Sequence, residues 1–403
     1  MMNMALCLKN ILNKDKVLSI AVILAVLSAF AVRPDSSYID YIDFRTLAIL
    51  FSLMLVMEGI KKTGFFDMAA KRILSKAGSI RQLVALLIMM CFFSSMIITN
   101  DVALITFVPL TIAVLNMLGR EMKLKWIIPV IVMQTVAANL GSMLTPIGNP
   151  QNLYLSGQAG SGFIGFVMLM LPLTGISFIM IAIWNIIKCR GENEAITVSF
   201  RKISEGRGYE IEPKQNADGA SVIAADNGEK KMPVYIVLFV ICVLAVAGII
   251  DYRIAFGAVL LLTAVTDISV LKRVDYTLLL TFTALFIFIG NLGRIEIFSS
   301  IIGNIVGNNE IIAAVVASQL ISNVPAALLL SGFTHNYTAL IIGTNIGGLG
   351  TIIASMASLI SYKYVAREEK GLCGRYMVYF TAVNTAFLAV MIAFVTACRA
   401  MLL

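Results

Sequence analysis

Val234 to Ile250 reads VYIVLFVICVLAVAGII, and a helix built from it is apolar on every face. Ala255 to Val265, AFGAVLLLTAV, is similar, and several such runs approach the ~20 residues an α-helix needs to cross a ~30 Å hydrocarbon core. A β-barrel of the outer-membrane kind would show short segments of alternating polarity instead. With 59% hydrophobic residues, 13% charged and a mean hydropathy of +0.91, the 403-residue chain reads as an all-α polytopic membrane protein.

Lys9, Lys14 and Lys16 precede the apolar stretch Val17 to Val32, a pattern shared by signal peptides and first spans. So much membrane sequence follows that an uncleaved first span is expected, with the N-terminus cytoplasmic in a plasma membrane. The six cysteines, Cys7, Cys91, Cys189, Cys242, Cys373 and Cys398, are too widely spaced for a zinc or redox motif. The formal charge of +8 does not point to nucleic acid, because the basic residues flank apolar spans and so orient them.

That rule fixes a topology. Span one rises over residues 17–32 and span two descends over about 46–60, which puts the loop with Lys61, Lys62, Lys71, Arg72, Lys76 and Arg81 inside. Arg120, Lys123 and Lys125 then mark the far end of the next apolar region as inside too. A segment with both ends on one side must enter and return, so residues 82–118 read as a re-entrant helical hairpin turning at Thr99, Asn100 and Asp101. Polar side chains at membrane depth are tolerated where they are buried in protein or line a cavity.

Downstream, VAANLGSMLTPIGNPQNLYL (Val136 to Leu155) sets Asn139, Gly141, Pro146, Gly148, Asn149, Pro150 and Asn152 between apolar helical flanks. Proline removes a backbone donor and clashes with the preceding turn, so residues 126–158 read as a discontinuous span. Residues 163–187 descend again and close a first membrane unit at residue 187. The polar tract 188–232 has balanced charge and reads as a cytoplasmic linker, partly disordered. A connecting span, 233–250, leads to a second membrane unit, 251–403.

This second unit repeats the first. IDFRTLAILFSLMLVMEGIKKTGFF (Ile42 to Phe66) aligns without gaps on VDYTLLLTFTALFIFIGNLGRIEIF (Val274 to Phe298), matching Asp43 to Asp275. TNDVALITFVPL corresponds to SNVPAALLLSGF, Ser322 to Phe333. NLGSMLTPIGNPQNL corresponds to NIGGLGTIIASMASL, pairing Asn139 with Asn345, Gly141 with Gly347, Thr145 with Thr351 and Asn152 with Ser358. After one connecting span the second repeat runs the opposite way, so its hairpin, 310–332, opens outward, with a second broken helix at 338–364. Of the 31 lysines and arginines, all but Arg33, Arg45, Arg253, Arg294 and Arg399 then fall on the cytoplasmic side. Inverted repeats whose broken helices meet at mid-membrane are an architecture of secondary transporters.

Two hairpin turns and two broken helices would thus meet at the centre. Side-chain and freed backbone oxygens suit a hard cation such as sodium, and half-helix N-termini suit an anion. The candidate substrate-binding residues are Thr99, Asn100, Asn139, Gly141, Thr145, Asn149, Asn152, Ser322, Asn323, Asn345, Gly347, Thr351, Ser355 and Ser358. Asp101, Asn100 and Asn323 are the candidates for ion coupling, and Thr99, Asn100, Asp101 and Asn139 for a sodium ion. Small polar residues can also simply hold helices together.

These motifs resemble the paired hairpin and broken-helix signatures of the ion transporter superfamily, in its citrate-transporter-like and arsenite-permease-like branch, with the divalent anion/sodium symporters as more distant relatives. The resemblance covers nearly the whole chain outside the linker. It implies an elevator-type carrier with scaffold and transport subdomains, often a homodimer, with a small anion as substrate. The symporters' Ser-Asn-Thr signatures fall on Thr99, Asn100 and Asp101 and on Ser322, Asn323 and Val324. Both third positions depart: Val324 offers no oxygen, and Asp101 adds a carboxylate able to bind sodium or carry a proton, or to cap the second hairpin helix.

Glu58 has Lys61 and Lys62 within a helical turn and reads as part of a surface ion pair. His335, the one histidine, reads as an exposed loop residue. GGLG, Gly347 to Gly350, lacks the Lys-Ser/Thr of a phosphate loop, so no nucleotide is expected, and no enzyme reading finds a nucleophile, base and metal. The expected activity is sodium- or proton-coupled transport of a small anion, a di- or tricarboxylate such as citrate. The alternatives are arsenite extrusion or sodium/proton antiport, and a membrane scaffold without transport. No cofactor is expected beyond the coupling ion.

Overall fold

The structure, a computed structural model, describes residues 16–192, 200–202, 208–211, 222–224, 231–307 and 309–398. Cys7, Lys9, Lys14, Arg399 and most of the linker lie outside these. In chain order the first helices are α1 (Lys16–Ala31), the single turn α2 (Ser37–Asp40), α3 (Phe44–Lys62), α4 (Phe65–Leu74), α5 (Ile80–Ser94), α6 (Asn100–Met117), α7 (Arg120–Ser142), α8 (Pro150–Ala159) and α9 (Gly162–Lys188). After the linker come α10 (Met232–Val246), α11 (Tyr252–Asp267) with a 3-10 turn to Arg273, α12 (Tyr276–Gly293), α13 (Glu296–Val306), α14 (Glu310–Ile321), α15 (Asn323–Ser331), α16 (Tyr337–Ile346), α17 (Met356–Glu368) and α18 (Cys373–Ala397).

Among the described residues six helical segments are long and apolar enough to cross a membrane: 100–117, 120–142, 162–188, 252–273, 276–293 and 370–397. The protein is therefore a multi-pass membrane protein with an all-helical membrane part. Two features differ from the sequence reading. The linker carries three short antiparallel strands, Phe200–Lys202, Gly208–Ile211 and Val222–Ala224, in order β1-β2-β3. Their β-branched and aromatic residues suit strands, a local preference that balanced charge does not reveal. The segment between Lys61 and Arg81 is no simple loop, because Phe66, Ala70 and Leu74 recur at helical spacing and bury one face of α4.

The core is α7, which packs against α5, α6, α9, α17 and α18. Ile127, Val130, Ile131, Val132, Met133, Val136, Ala137, Ala138 and Leu140 are shielded completely, so protein surrounds this helix on every side. At the other side of the molecule the two halves exchange partners. α1 packs along α12, while α11, the corresponding first helix of the second half, packs along α3. Asn291 donates to Ser28 Oγ at 3.0 Å and to the Tyr38 hydroxyl at 2.8 Å, which ties α12 to the first segment.

The helices α3 and α12 at the centre of this exchange also start alike. Asp43 caps α3 by accepting from Thr46 N–H, and Asp275 caps α12 by accepting from Thr277 and Leu278 N–H, with backbone angles of −77°, 86° and −79°, 85°. Ion pairs join distant segments: Lys123 of α7 reaches Glu368 of α17 at 2.6 Å. Asp267 receives Lys62 at 2.7 Å and Lys231 at 3.2 Å. Elsewhere Arg294 donates to Asp35 at 2.8 Å, and that hydrogen bond holds the Asp35 carboxyl below its usual range.

Candidate functional site

The helical hairpin α5–α6 turns over Ser95 to Thr99, and the chain between α7 and α8 is open from Met143 to Asn149. Turn and break are joined directly. Asn100 N–H donates to Gly148 carbonyl at 3.2 Å, and Thr145 Oγ1 donates to Met96 carbonyl at 2.6 Å. In the second half Asn323 N–H donates to Ala354 carbonyl at 3.0 Å, and Thr351 Oγ1 donates to Gln319 carbonyl at 3.3 Å. Every one of these atoms sits at the repeat-equivalent position of its counterpart. The second helix after each break starts alike, Asn149 at −144°, 144° before Pro150 and Ser355 at −142°, 138° before Met356. Pro150 begins α8 favourably because its missing N–H would have had no helical partner.

Asn139 and Asn345 then join the two broken helices across their breaks. Asn139 Oδ1 accepts from Asn100 Nδ2 at 2.9 Å and from Ser355 Oγ at 3.0 Å, and its Nδ2 donates to Gly348 carbonyl at 3.4 Å. Asn345 Nδ2 donates to Asn152 Oδ1 at 2.7 Å, and Asn152 Nδ2 donates to the carbonyls of Ser142 and Thr145. Asn149 Nδ2 donates to Ser142 Oγ at 2.7 Å. The carboxamides thus give partners to carbonyls that the breaks release, where Asn139, Asn152 and Asn345 are all buried.

Asn139→Ala removes an acceptor from two buried donors, each costing ~1–3 kcal/mol when unpaired. It is expected to destabilise the fold by about 2–4 kcal/mol, read as a lowered melting temperature of the purified protein. A variant as stable as the parent would show that the crossing does not depend on this side chain.

A cavity of about 130 Å³ lies on one side of the crossing, between α3, the first turn, the start of α8 and the segment Arg273 to Leu278. Thr99, Asp101 and Asn149 reach its wall from the sequence-predicted set. Glu58, Arg273 and Asp275 add charge to it, and Leu50, Leu53, Met57 and Ile147 are among its apolar residues. The starts of α6 and α8 both border this space, so the positive ends of two helix dipoles lie beside it.

The other predicted residues stand elsewhere. Asn100, Asn139, Asn152, Asn345 and Ser355 form the joint described above, and Thr145 and Thr351 fasten turns to breaks. Gly141 lies against Ser95 and Gly347 against Ser318, with no room for a side chain. Ser322 is the single residue between α14 and α15, held at φ 76°, and with Asn323 it forms the second turn. Ser358 is fully buried, and its Oγ has no hydrogen-bond partner among the described residues, as is true of Asn345 Oδ1 and Asp101 Oδ1.

The four oxygens expected around sodium are not equally free. Asn139 Oδ1 already accepts twice and Asn100 Oδ1 accepts from Asp101 N–H at 2.9 Å, which leaves the Thr99 hydroxyl and the Asp101 carboxylate on the wall. Asp101 stands in the first turn of α6, and Thr99 is the cap residue. Glu58 forms the expected ion pair, with Lys61 at 3.7 Å, while also reaching the cavity wall, and Lys62 turns to Asp267. His335 is exposed, with its ring 6.3 Å from that of Tyr337. Sequence reasoning missed Arg273 and Asp275 as wall residues, counting the arginine only as a flanking charge; the Asp43–Asp275 match was the available signal.

A family model described as "Citrate transporter" matches residues 4–337. An uncharacterized transporter of Methanocaldococcus jannaschii is 32% identical over 358 residues, 88% of this chain and 89% of the relative. The inner membrane protein YbiR of Escherichia coli is 28% identical over 359 residues, 87% and 88% of the two chains. The P protein of Mus musculus is 30% identical over 153 residues, 36% of this chain and 18% of its own.

Proposed function

The chain belongs to the citrate transporter family, and from that premise we propose that it is a secondary active transporter that moves a small carboxylate with a coupling cation. The observation that carries this reading is the cavity wall that Thr99, Asp101 and Asn149 share with Arg273. Asp101 and the Thr99 hydroxyl supply oxygens for sodium or a proton. Arg273 and the N-termini of α6 and α8 supply the positive side for a carboxylate. In this reading the two repeats run in opposite senses through the bilayer, and the crossing moves as an elevator against α3 and α12.

The charge of the wall adds an order of events. With Glu58 paired to Lys61, Asp101 and Asp275 still outnumber Arg273, so an anion entering first meets net repulsion. A cation at Asp101 relieves it, which makes cation binding precede substrate binding. The same acidic excess favours a second reading, sodium/proton antiport without an anion.

A thermal-shift series with citrate, succinate, malate, sulfate and arsenite, each in sodium or choline, separates them, since a ligand that binds the native state raises its stability by mass action. The expected result is stabilisation by one carboxylate in sodium alone, lost in Arg273→Gln while the response to sodium persists. Stabilisation by sodium or by pH with no anion response would replace the symporter by the antiporter.

A further inference from the structure

Behind the first hairpin turn lies a second and larger cavity, about 570 Å³, which the transport reading does not use. Its walls are Phe65, Ala69 and Ile73 of α4, Met89 and Phe93 of α5, and Ile236 of α10 among others, and Ser94 supplies its one side-chain hydroxyl. That hydroxyl is already engaged with the Met90 carbonyl. A polar solute has nothing to bind there, whereas Phe65, Ile73, Phe93 and Ile236 remain exposed.

The surroundings of this groove are basic. Arg72 adjoins the wall residue Ile73, and Lys76 follows just beyond the end of α4. Both are exposed, and from Thr63 to Lys76 the only acidic residue is Asp67. An apolar slot beside two cations suits a molecule with a hydrocarbon tail and an anionic head.

We propose that this groove is a binding site for an anionic phospholipid, with an acyl chain between α4 and α5 and the phosphate held by Arg72 and Lys76. The site adjoins the transport cavity closely, because Met57, Ile97 and Ile98 line both spaces. A chain packed in the groove supports the backs of the residues that lead into Thr99. The lipid therefore stabilises the hairpin turn in the position seen here, a consequence that rests on the transport reading, whereas the binding site itself does not.

Native mass spectrometry of the full chain, titrated with phosphatidylglycerol or with phosphatidylcholine of the same acyl composition, tests the site. Wild-type protein is expected to retain phosphatidylglycerol preferentially, and replacing Arg72 and Lys76 by Gln is expected to weaken retention about fivefold per charge removed. Ala69→Trp, which fills the groove, is expected to reduce retention with the basic residues intact. Equal retention of the two lipids by the wild-type protein overturns the headgroup site, without relying on any variant. Undiminished phosphatidylglycerol retention by Ala69→Trp overturns the groove as the place of the chain. Transport in vesicles of each lipid is read separately: an absence of transport in both counts against the proposed function and leaves the mass measurement standing.

Discussion

Replacing Asp101 by Asn is expected to lower the apparent affinity for the coupling cation about a hundredfold, ~2.7 kcal/mol, and to flatten the dependence of transport on sodium and pH. Asp101 is the one ionisable side chain at either hairpin turn, since Val324 stands at the equivalent place in the second half. Its Oδ1 is buried without a hydrogen-bond partner among the described residues, so no neighbouring donor can take over the role of a bound cation. Removing one charge of a buried charged contact typically costs ~2–5 kcal/mol. Asparagine keeps the shape and the first-turn position in α6, so the fold should survive. The comparison is Asp275→Asn, which also preserves a good helix cap and removes a charge from the same wall. Uptake into vesicles over a series of sodium concentrations and pH values decides it: dependence that survives Asp101→Asn removes this residue from coupling.

Gly141→Ala is expected to be far more damaging than Gly347→Ala, although the two glycines are repeat equivalents. A Cβ on Gly141 would collide with the Phe92 carbonyl of the facing hairpin arm and lie 2.6 Å from Ser95 Oγ. A Cβ on Gly347 would lie 2.7 Å from Gly343 carbonyl and 2.8 Å from Ser318 Oγ. The second set consists of the same helix's own carbonyl and a side chain, while the first includes backbone of another element that cannot move without displacing α5. Overpacking costs ~1–3 kcal/mol and occasionally more, so Gly347→Ala should fall within that range and Gly141→Ala above it. Melting temperatures in one detergent give the order. Equal losses would mean that α5 yields as readily as a side chain does.

The turns and breaks beside the candidate site could be read from the chain because polar residues are conspicuous in an apolar context, although of the predicted residues only Thr99, Asp101 and Asn149 line the cavity. The run from Thr99 to Asp101 and the Gly, Pro and Asn residues from 139 to 152 mark the places where α6 and α8 begin, since backbone freed by a break must find partners near it. The repeat alignment was equally legible, and it pairs the atoms that make equivalent hydrogen bonds, as with Thr145 to Met96 and Thr351 to Gln319. The role of each polar residue was not. Asn139 and Asn152 look alike in sequence to Asn149, yet the first two join helices and the third reaches the cavity. Arg273, read as a flanking charge, turns onto the wall because the 3-10 turn after α11 brings it beside Asp275.

The sequence by itself determined a helical membrane protein built from two similar halves, because hydrocarbon leaves a backbone few other ways to satisfy its hydrogen bonds. It also determined where those helices must break. Only the tertiary structure decided that α1 lies along α12 and α11 along α3, that the carboxamides of Asn139 and Asn345 close the crossing, and that Asp101 shares a wall with Arg273. Apolar patterning selects an environment but no particular neighbour, since one lipid-like face packs as well as another. The choice of neighbour rests on which glycines admit close approach and which polar atoms find partners, and those are properties of the assembled chain.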